Sequence, residues 1–166
     1  MPKHTAYLAI GSNVGDRLSN IKNSIRLLGL NPRISILKSA RIYESLPVGG
    51  PKNQSKYLNT AVCIKTSYNP FDLLSLLKTI EKKLKRRKEV RWGPRTIDLD
   101  IVFFNDMVLR HKELIIPHPL THERIFVLRP LSDIAAKVSH PLFKKSVAGM
   151  LKAVTAKQQQ TVAVFN

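Results

Sequence analysis

The period of the apolar positions changes several times along the chain, and each change marks an element. Residues 5–10, Thr-Ala-Tyr-Leu-Ala-Ile, are apolar and predict a strand. A turn-rich stretch with two glycines follows, Gly11-Ser-Asn-Val-Gly-Asp. Leu18, Ile21, Ile25 and Leu28 then recur at three- and four-residue spacing, one stripe of a helix closed by Gly29 and Pro32. Residues 34–43 alternate and predict a strand. Residues 44–56 contain Pro47, Gly49, Gly50 and Pro51 and read as a loop, long enough to suggest function. Residues 57–66 are β-branched and alternating, hence another strand. Asn69 suits a helix N-cap and Pro70 the first helical position, ahead of a stripe of Phe71, Leu74, Leu77, Ile80 and Leu84. Gly93-Pro94 breaks the chain before residues 96–104, the strongest strand pattern. Asn105-Asp106 is expected to turn that strand into a short hairpin with residues 107–109, and residues 114–116 end at Pro117-His118-Pro119. Thr121 caps a helix that continues past Pro130 to Ala136, and residues 146–154 form a last helix. Residues 155–166 are polar and then weakly apolar, and are expected to be a mobile tail.

The order β-α-β-β-α-β over the first 104 residues is the ferredoxin-like arrangement. The expected fold is therefore α+β: a mainly antiparallel sheet with helices packed on it, followed by a C-terminal hairpin and helices. A chain of 166 residues fits one domain, expected over residues 1–154. One cysteine, Cys63, excludes an intramolecular disulfide and a cysteine-rich zinc site. No apolar run approaches the ~20 residues of a membrane span, and no apolar segment follows Lys3 as in a signal peptide. No membrane association and a cytoplasmic location are expected.

Charge changes this picture. The net charge is +17, which could mean a nucleic acid, an anionic membrane surface or a small polyanion as partner, or for the bulk of it a basic proteome or a solubility device. Eight basic and two acidic residues lie between Glu81 and Arg95, so the charge is concentrated before the strongest strand. Asp98 and Asp100 are two apart on that strand and leave the same face, their Cα atoms ~6.5–7 Å apart. Two such carboxylates repel unless a cation joins them. Mg²⁺ does so and keeps coordination positions for phosphate oxygens. The alternative is two solvated aspartates on an open sheet face. Arg91-Trp92-Gly93-Pro94-Arg95 leads straight into this strand and supplies guanidinium groups of the kind a polyphosphate needs. Trp92 could stack on a heterocycle or anchor the loop. Tyr57 and Asn59 share one strand face, and with Phe126 could hold a flat heterocycle and read its edge, or could be core residues. His118 is fixed between two prolines and could bond a phosphate or ribose. The loop at residues 11–15 lacks the Lys and third Gly of phosphate-binding loops and reads as a structural turn.

The stretch Arg91-Trp-Gly-Pro-Arg-Thr-Ile-Asp-Leu-Asp-Ile101 resembles the characteristic motif of the 6-hydroxymethyl-7,8-dihydropterin pyrophosphokinase family of folate synthesis. Residues 6–17, residues 57–62, Ile116-Pro-His-Pro119, Arg124-Ile-Phe126 and Arg129-Pro-Leu131 are similar to further segments of that family, in the right order. The resemblance implies an ATP-dependent transfer of pyrophosphate to the pterin hydroxymethyl group, with AMP released. It implies that Asp98 and Asp100 hold two Mg²⁺ ions on the triphosphate and that Arg86 and Arg95 join them in catalysis. ATP is expected against Lys88, Arg91, Arg95, Ile101 and His118. The pterin is expected between Tyr57 and Phe126, with Ser45, Val48, Asn59, Trp92 and Arg124 around it. Lys85 stands where the family has a glycine, and Lys88 where it has an arginine.

The expected partners are ATP and a reduced pterin, on a monomer. The segment from Lys82 to Trp92 is expected to order on the triphosphate as a lid. The alternative is a basic, metal-dependent nucleic-acid-binding or nuclease module, although the aromatic run of an RNA-binding sheet is missing.

Overall fold

The computed structural model describes residues 3–85, 93–158 and 160–166. Its elements run β1 (His4–Ser12), α1 (Arg17–Gly29), β2 (Ile34–Ser39), β3 (Tyr43–Ser45), β4 (Tyr57–Thr66), α2 (Pro70–Lys83), β5 (Asp98–Phe104), β6 (Leu109–Arg110), β7 (Ile115–Ile116), a 3-10 turn (Thr121–Glu123), α3 (Ile125–Ala135), α4 (Val147–Lys157) and β8 (Val162–Val164). The main sheet has the order β5-β1-β4-β3-β8, with β2 also on β4, and every pairing is antiparallel. The β-α-β-β-α-β core is present, with its second strand divided in two.

That division has a local cause. Ser39 lies opposite Val62 and Tyr43 opposite Asn59, so one strand has a residue too many. The surplus is held by the Thr60 hydroxyl, which donates to the carbonyls of Ala40 and Arg41 at 3.2 and 3.1 Å. The chain then re-pairs as β3, so the loop expected over residues 44–56 begins only after Ser45. The segment expected to be a tail differs more. Helix α4 extends to Lys157, and Val162–Val164 adds an edge strand to β3.

Helices cover both sheet faces. Ala6, Leu8 and Ile10 of β1 and Leu99 and Ile101 of β5 join Ile21, Leu28, Leu73, Leu77 and Ile80 of α1 and α2 in one core. Ala61, Cys63, Val102 and Phe103 join α3 and α4 in a second. A register shift between Tyr7 and Leu8, opposite Val102, lets two successive residues of β5 enter the second core. Side chains cap three of the helices: Asp16 accepts from Ser19 N–H, Asn69 from Asp72 N–H and Ser146 from Gly149 N–H. Lys85 follows the end of α2 at φ +63°, the left-handed region that favours glycine.

The buried stripe of α2 is Leu73, Leu77 and Ile80, rotated from the expected one. Phe71 is 39% exposed and meets His111 edge-on at 5.0 Å. Leu77→Ala should therefore cost about 2–5 kcal/mol of stability, and Phe71→Ala less than about 1 kcal/mol. Chemical denaturation measures both, and equal losses would contradict this stripe.

Candidate active site

The second core stops short of one end of the sheet, and the space left there is a cavity of about 260 Å³. Its floor is made where β1, β4 and β5 lie side by side. Gly11 is opposite Asn59 on one side and Asp98 on the other, and Ala9 is opposite Ala61 and Asp100. Small residues on β1 keep the floor low. A Cβ built on Gly11 would meet Asn59 Oδ1 at 3.1 Å and crowd it. Strand alternation then stands Tyr57 and Asn59 on one flank and Asp98 and Asp100 on the other.

The cavity brings together Ser45, Val48, Tyr57, Asn59, Arg95, Asp98, Asp100, His118, Arg124 and Phe126. Ile101 is not among them. It follows Asp100, so alternation turns its side chain to the opposite face, where it is 3% exposed in the core under α2. Its expected contact with ATP therefore has no side-chain basis in the structure. Arg86, Lys88, Arg91 and Trp92, and with them most of the expected lid, lie outside the described residues.

Each flank is fixed by hydrogen bonds. Asn59 Nδ2 donates to Ser45 Oγ at 2.8 Å in a buried pair, which orients the amide. Tyr57 Oη donates to the Gly93 carbonyl at 3.3 Å. Glu81, 5% exposed at the end of α2, accepts from Leu99 N–H at 3.0 Å, between the two aspartates. Arg124 precedes α3 and lies 5.5 Å from the Phe126 ring centroid. Burial lowers the Arg124 guanidinium from the usual arginine range, and the charges of Asp100 and Asp98 act in the opposite direction.

His118 reaches the cavity from the turn after β7. Its Nδ1 accepts from Leu120 N–H at 3.3 Å, so the neutral ring carries its proton on Nε2. Burial, reinforced by the positive charge of Arg124, lowers its pKa to about 4. The ring is neutral at pH 7 and offers a donor.

The loop after β1 does more than turn the chain. Asn13, 3% exposed, exchanges two bonds with the Arg95 main chain: Asn13 Oδ1 accepts from Arg95 N–H at 2.7 Å, and Asn13 N–H donates to the Arg95 carbonyl at 3.0 Å. Its Nδ2 donates to Gln54 Oε1 and the Ser55 carbonyl. Sequence reasoning missed this residue. An amide in a glycine-bounded loop was the only signal, and its partners lie 41 and more positions away.

The donor set suits a cation brought in by a substrate. Among the described residues no group of three His, Cys, Asp or Glu side chains comes together as a metal site. Two carboxylates on one face of a cavity leave most positions of a hard ion to water and phosphate oxygens, the usual arrangement for Mg²⁺ with a nucleotide.

The lowered pKa of His118 has a consequence for stability. Unfolded, the ring titrates near 6.5; folded, it titrates near 4. Between these values the unfolded chain binds the extra proton, so stability is full above pH 6.5 and falls as the pH drops toward 4, by up to about 3 kcal/mol. Replacing His118 with Gln should remove this component. Denaturant unfolding at pH 7 and pH 4.5 checks it, and the same pH slope in both proteins would contradict it.

Similarity to known proteins agrees with this geometry. Residues 7–136 match the family model of 7,8-dihydro-6-hydroxymethylpterin-pyrophosphokinase. The Bacillus subtilis 2-amino-4-hydroxy-6-hydroxymethyldihydropteridine pyrophosphokinase is 49% identical over 133 residues, covering 80% of this chain and 79% of that one. The Aquifex aeolicus protein of the same name is 42% identical over 141 residues, covering 85% and 86%. A Plasmodium falciparum HPPK-DHPS crystal structure, with pteroate, superposes with a TM-score of 0.76 at 16% identity. It covers 94% of this chain, which spans 45% of that longer one, and it bears on the fold alone. No helix among the described residues is long and apolar enough to cross a membrane. These matches lend nothing to a nucleic-acid-binding module. The chain belongs to the 7,8-dihydro-6-hydroxymethylpterin-pyrophosphokinase family, and its activity is that of a pyrophosphokinase of folate biosynthesis.

Proposed function

We propose that the cavity is the active site and that it joins two subsites for one reaction. ATP binds along Asp98, Asp100, Arg95 and His118, and 6-hydroxymethyl-7,8-dihydropterin binds between Tyr57 and Phe126. The hydroxymethyl oxygen attacks the β-phosphorus of ATP, the bond from that phosphorus to the α-β bridging oxygen breaks, and AMP leaves. The hydroxyl loses its proton as the new bond forms. The observation that supports this most is that one cavity takes in both the carboxylate pair and the aromatic pair.

Transfer of this kind needs little covalent help from protein. It needs the attacking oxygen held in line and the triphosphate charge offset. Asp98 and Asp100 would hold Mg²⁺ on the triphosphate, two ions being expected. The metal supplies charge neutralisation on the phosphate oxygens when bound. Arg95 stands on a main chain clamped by Asn13, so its guanidinium works from a fixed base. Arg124 adds a second positive charge between the aspartates and Phe126. His118 donates from Nε2 to the ATP side and, being neutral, does not compete for the metal's place. The Ser45–Asn59 pair presents oriented donors and acceptors to the edge of the heterocycle. Arg86, Lys88 and Arg91 complete the triphosphate grip in this reading, and Trp92 closes the site on the pterin side.

Incubation with Mg²⁺, ATP and the reduced pterin should release AMP, and ADP as the product would contradict the reading. Asp98→Asn and Asp100→Asn should each lower turnover more than about tenfold, or 1.4 kcal/mol in the barrier. Their melting temperatures should stay close to the parent, because both side chains line an open cavity. Activity above a tenth of the parent in either variant would argue against joint metal binding.

Tyr57→Ala and Phe126→Ala should weaken pterin binding about tenfold or more while barely moving the affinity for an ATP analogue. Calorimetric titration of each ligand separately measures this. Equal losses for both ligands would contradict the slot.

A further inference from the structure

Two walls of the cavity are shared with a second open space. Val48, Arg124 and Phe126 line the cavity on one side, and on the other they line a neighbouring groove of about 820 Å³. Phe126 packs on the second core on one side only, and Val48 is 47% exposed, so both have fewer neighbours than a core side chain. Their positions then depend on how the chain around them is tied.

The tie comes from the end of the sequence, beyond the residues 7–136 that match the family model. Gln158 Nε2 donates to the Glu123 carbonyl at 3.1 Å, one residue before Arg124. Gln160 Nε2 donates to the Leu46 carbonyl at 3.4 Å, between Ser45 and Val48. These two glutamines line the same groove as the partitions. Strand β8 then pairs with β3, placing Val162 opposite Ser45, Ala163 opposite Glu44 and Val164 opposite Tyr43. Phe165 N–H donates to the Ile42 carbonyl at 2.8 Å. The Phe165 side chain packs on the larger core, 5.9 Å from the Arg17 guanidinium carbon, and Val162 packs on the second core. Strand β3 is only three residues long, and among the described residues β8 is its one partner besides β4. A three-residue strand on one neighbour has few hydrogen bonds to hold its register.

We propose that Gln158, Gln160 and β8 form a positioning strap for the pterin subsite. The strap joins the Ser45–Val48 side of the slot to the Arg124–Phe126 side and sets their separation. Its glutamine hydrogen bonds fall on Glu123 and Leu46, and not on Arg95, Asp98, Asp100 or His118. The slot is thereby preorganised, so the cost of ordering both walls is met before the pterin arrives. The inference rests on Tyr57 and Phe126 forming the pterin slot, as proposed above.

Two variants test it beside Phe126→Ala: a chain ended after Lys157, and the double substitution Gln158→Ala with Gln160→Ala. Pterin and a non-hydrolysable ATP analogue with Mg²⁺ are titrated separately, and KM is measured for each substrate. The shortened chain should lose about tenfold in pterin affinity and the double variant about threefold, with the KM for ATP changed less than about twofold. Should the shortened chain fail to fold, the double variant decides, since it keeps β8 and the core contacts of Phe165. If Phe126→Ala weakens pterin binding and the strap variants bind like the parent, the strap is wrong. Equal loss for both ligands in the strap variants also overturns it, because the segment would then only support the fold. If Phe126→Ala leaves pterin binding unchanged, the slot itself is wrong, and the strap falls with it.

Discussion

The central strand β1 is held between β4 and β5, and its register places Gly11 between Asn59 and Asp98. The chemistry of the site depends on that pairing. Alternation along β5 sends Asp98 and Asp100 into the cavity and Leu99 and Ile101 into the core. A slip of one residue would exchange them, burying two carboxylates and exposing two aliphatic side chains. The core therefore enforces the geometry of the site. Glu81 adds a second lock by accepting from Leu99 N–H at the residue between the aspartates.

Electrostatics follow from this arrangement. A carboxylate pair in a small cavity needs nearby positive charge, and Arg95 and Arg124 line the same cavity, the Arg124 guanidinium acted on by both aspartates. The same charge helps to keep His118 neutral. The site thus combines a carboxylate pair, guanidinium groups and a neutral donor within one enclosure. The aromatic side chains of Tyr57 and Phe126 line the same enclosure.

Much of this was legible in the sequence because it depends on short-range pattern. The aspartate pair, the strand carrying it, the N-cap at Asn69 and the β-α-β-β-α-β order all follow from local periodicity and turn chemistry. What was missed depends on partners distant in the chain. Asn13 acts through Arg95, 82 positions away. Strand β8 exists because β3 offers an edge, which the break after Ser39 creates. The stripe of α2 was misplaced because Phe71 and Leu74 fit the helical spacing as well as Leu73 does, and only the packing against the sheet separates them. Lys85 is a different case: the family resemblance implied a glycine position, and its φ of +63° gives a physical reason.

The central claim is that Asp98 and Asp100 together hold the metal that accompanies the triphosphate. Mn²⁺ can replace Mg²⁺ as a spectroscopic probe, and electron paramagnetic resonance counts the ions bound with a non-hydrolysable ATP analogue and the pterin. The account predicts two bound ions per chain in the parent protein and the loss of at least one in each of Asp98→Asn and Asp100→Asn. Unchanged Mn²⁺ stoichiometry and affinity in both variants would contradict it.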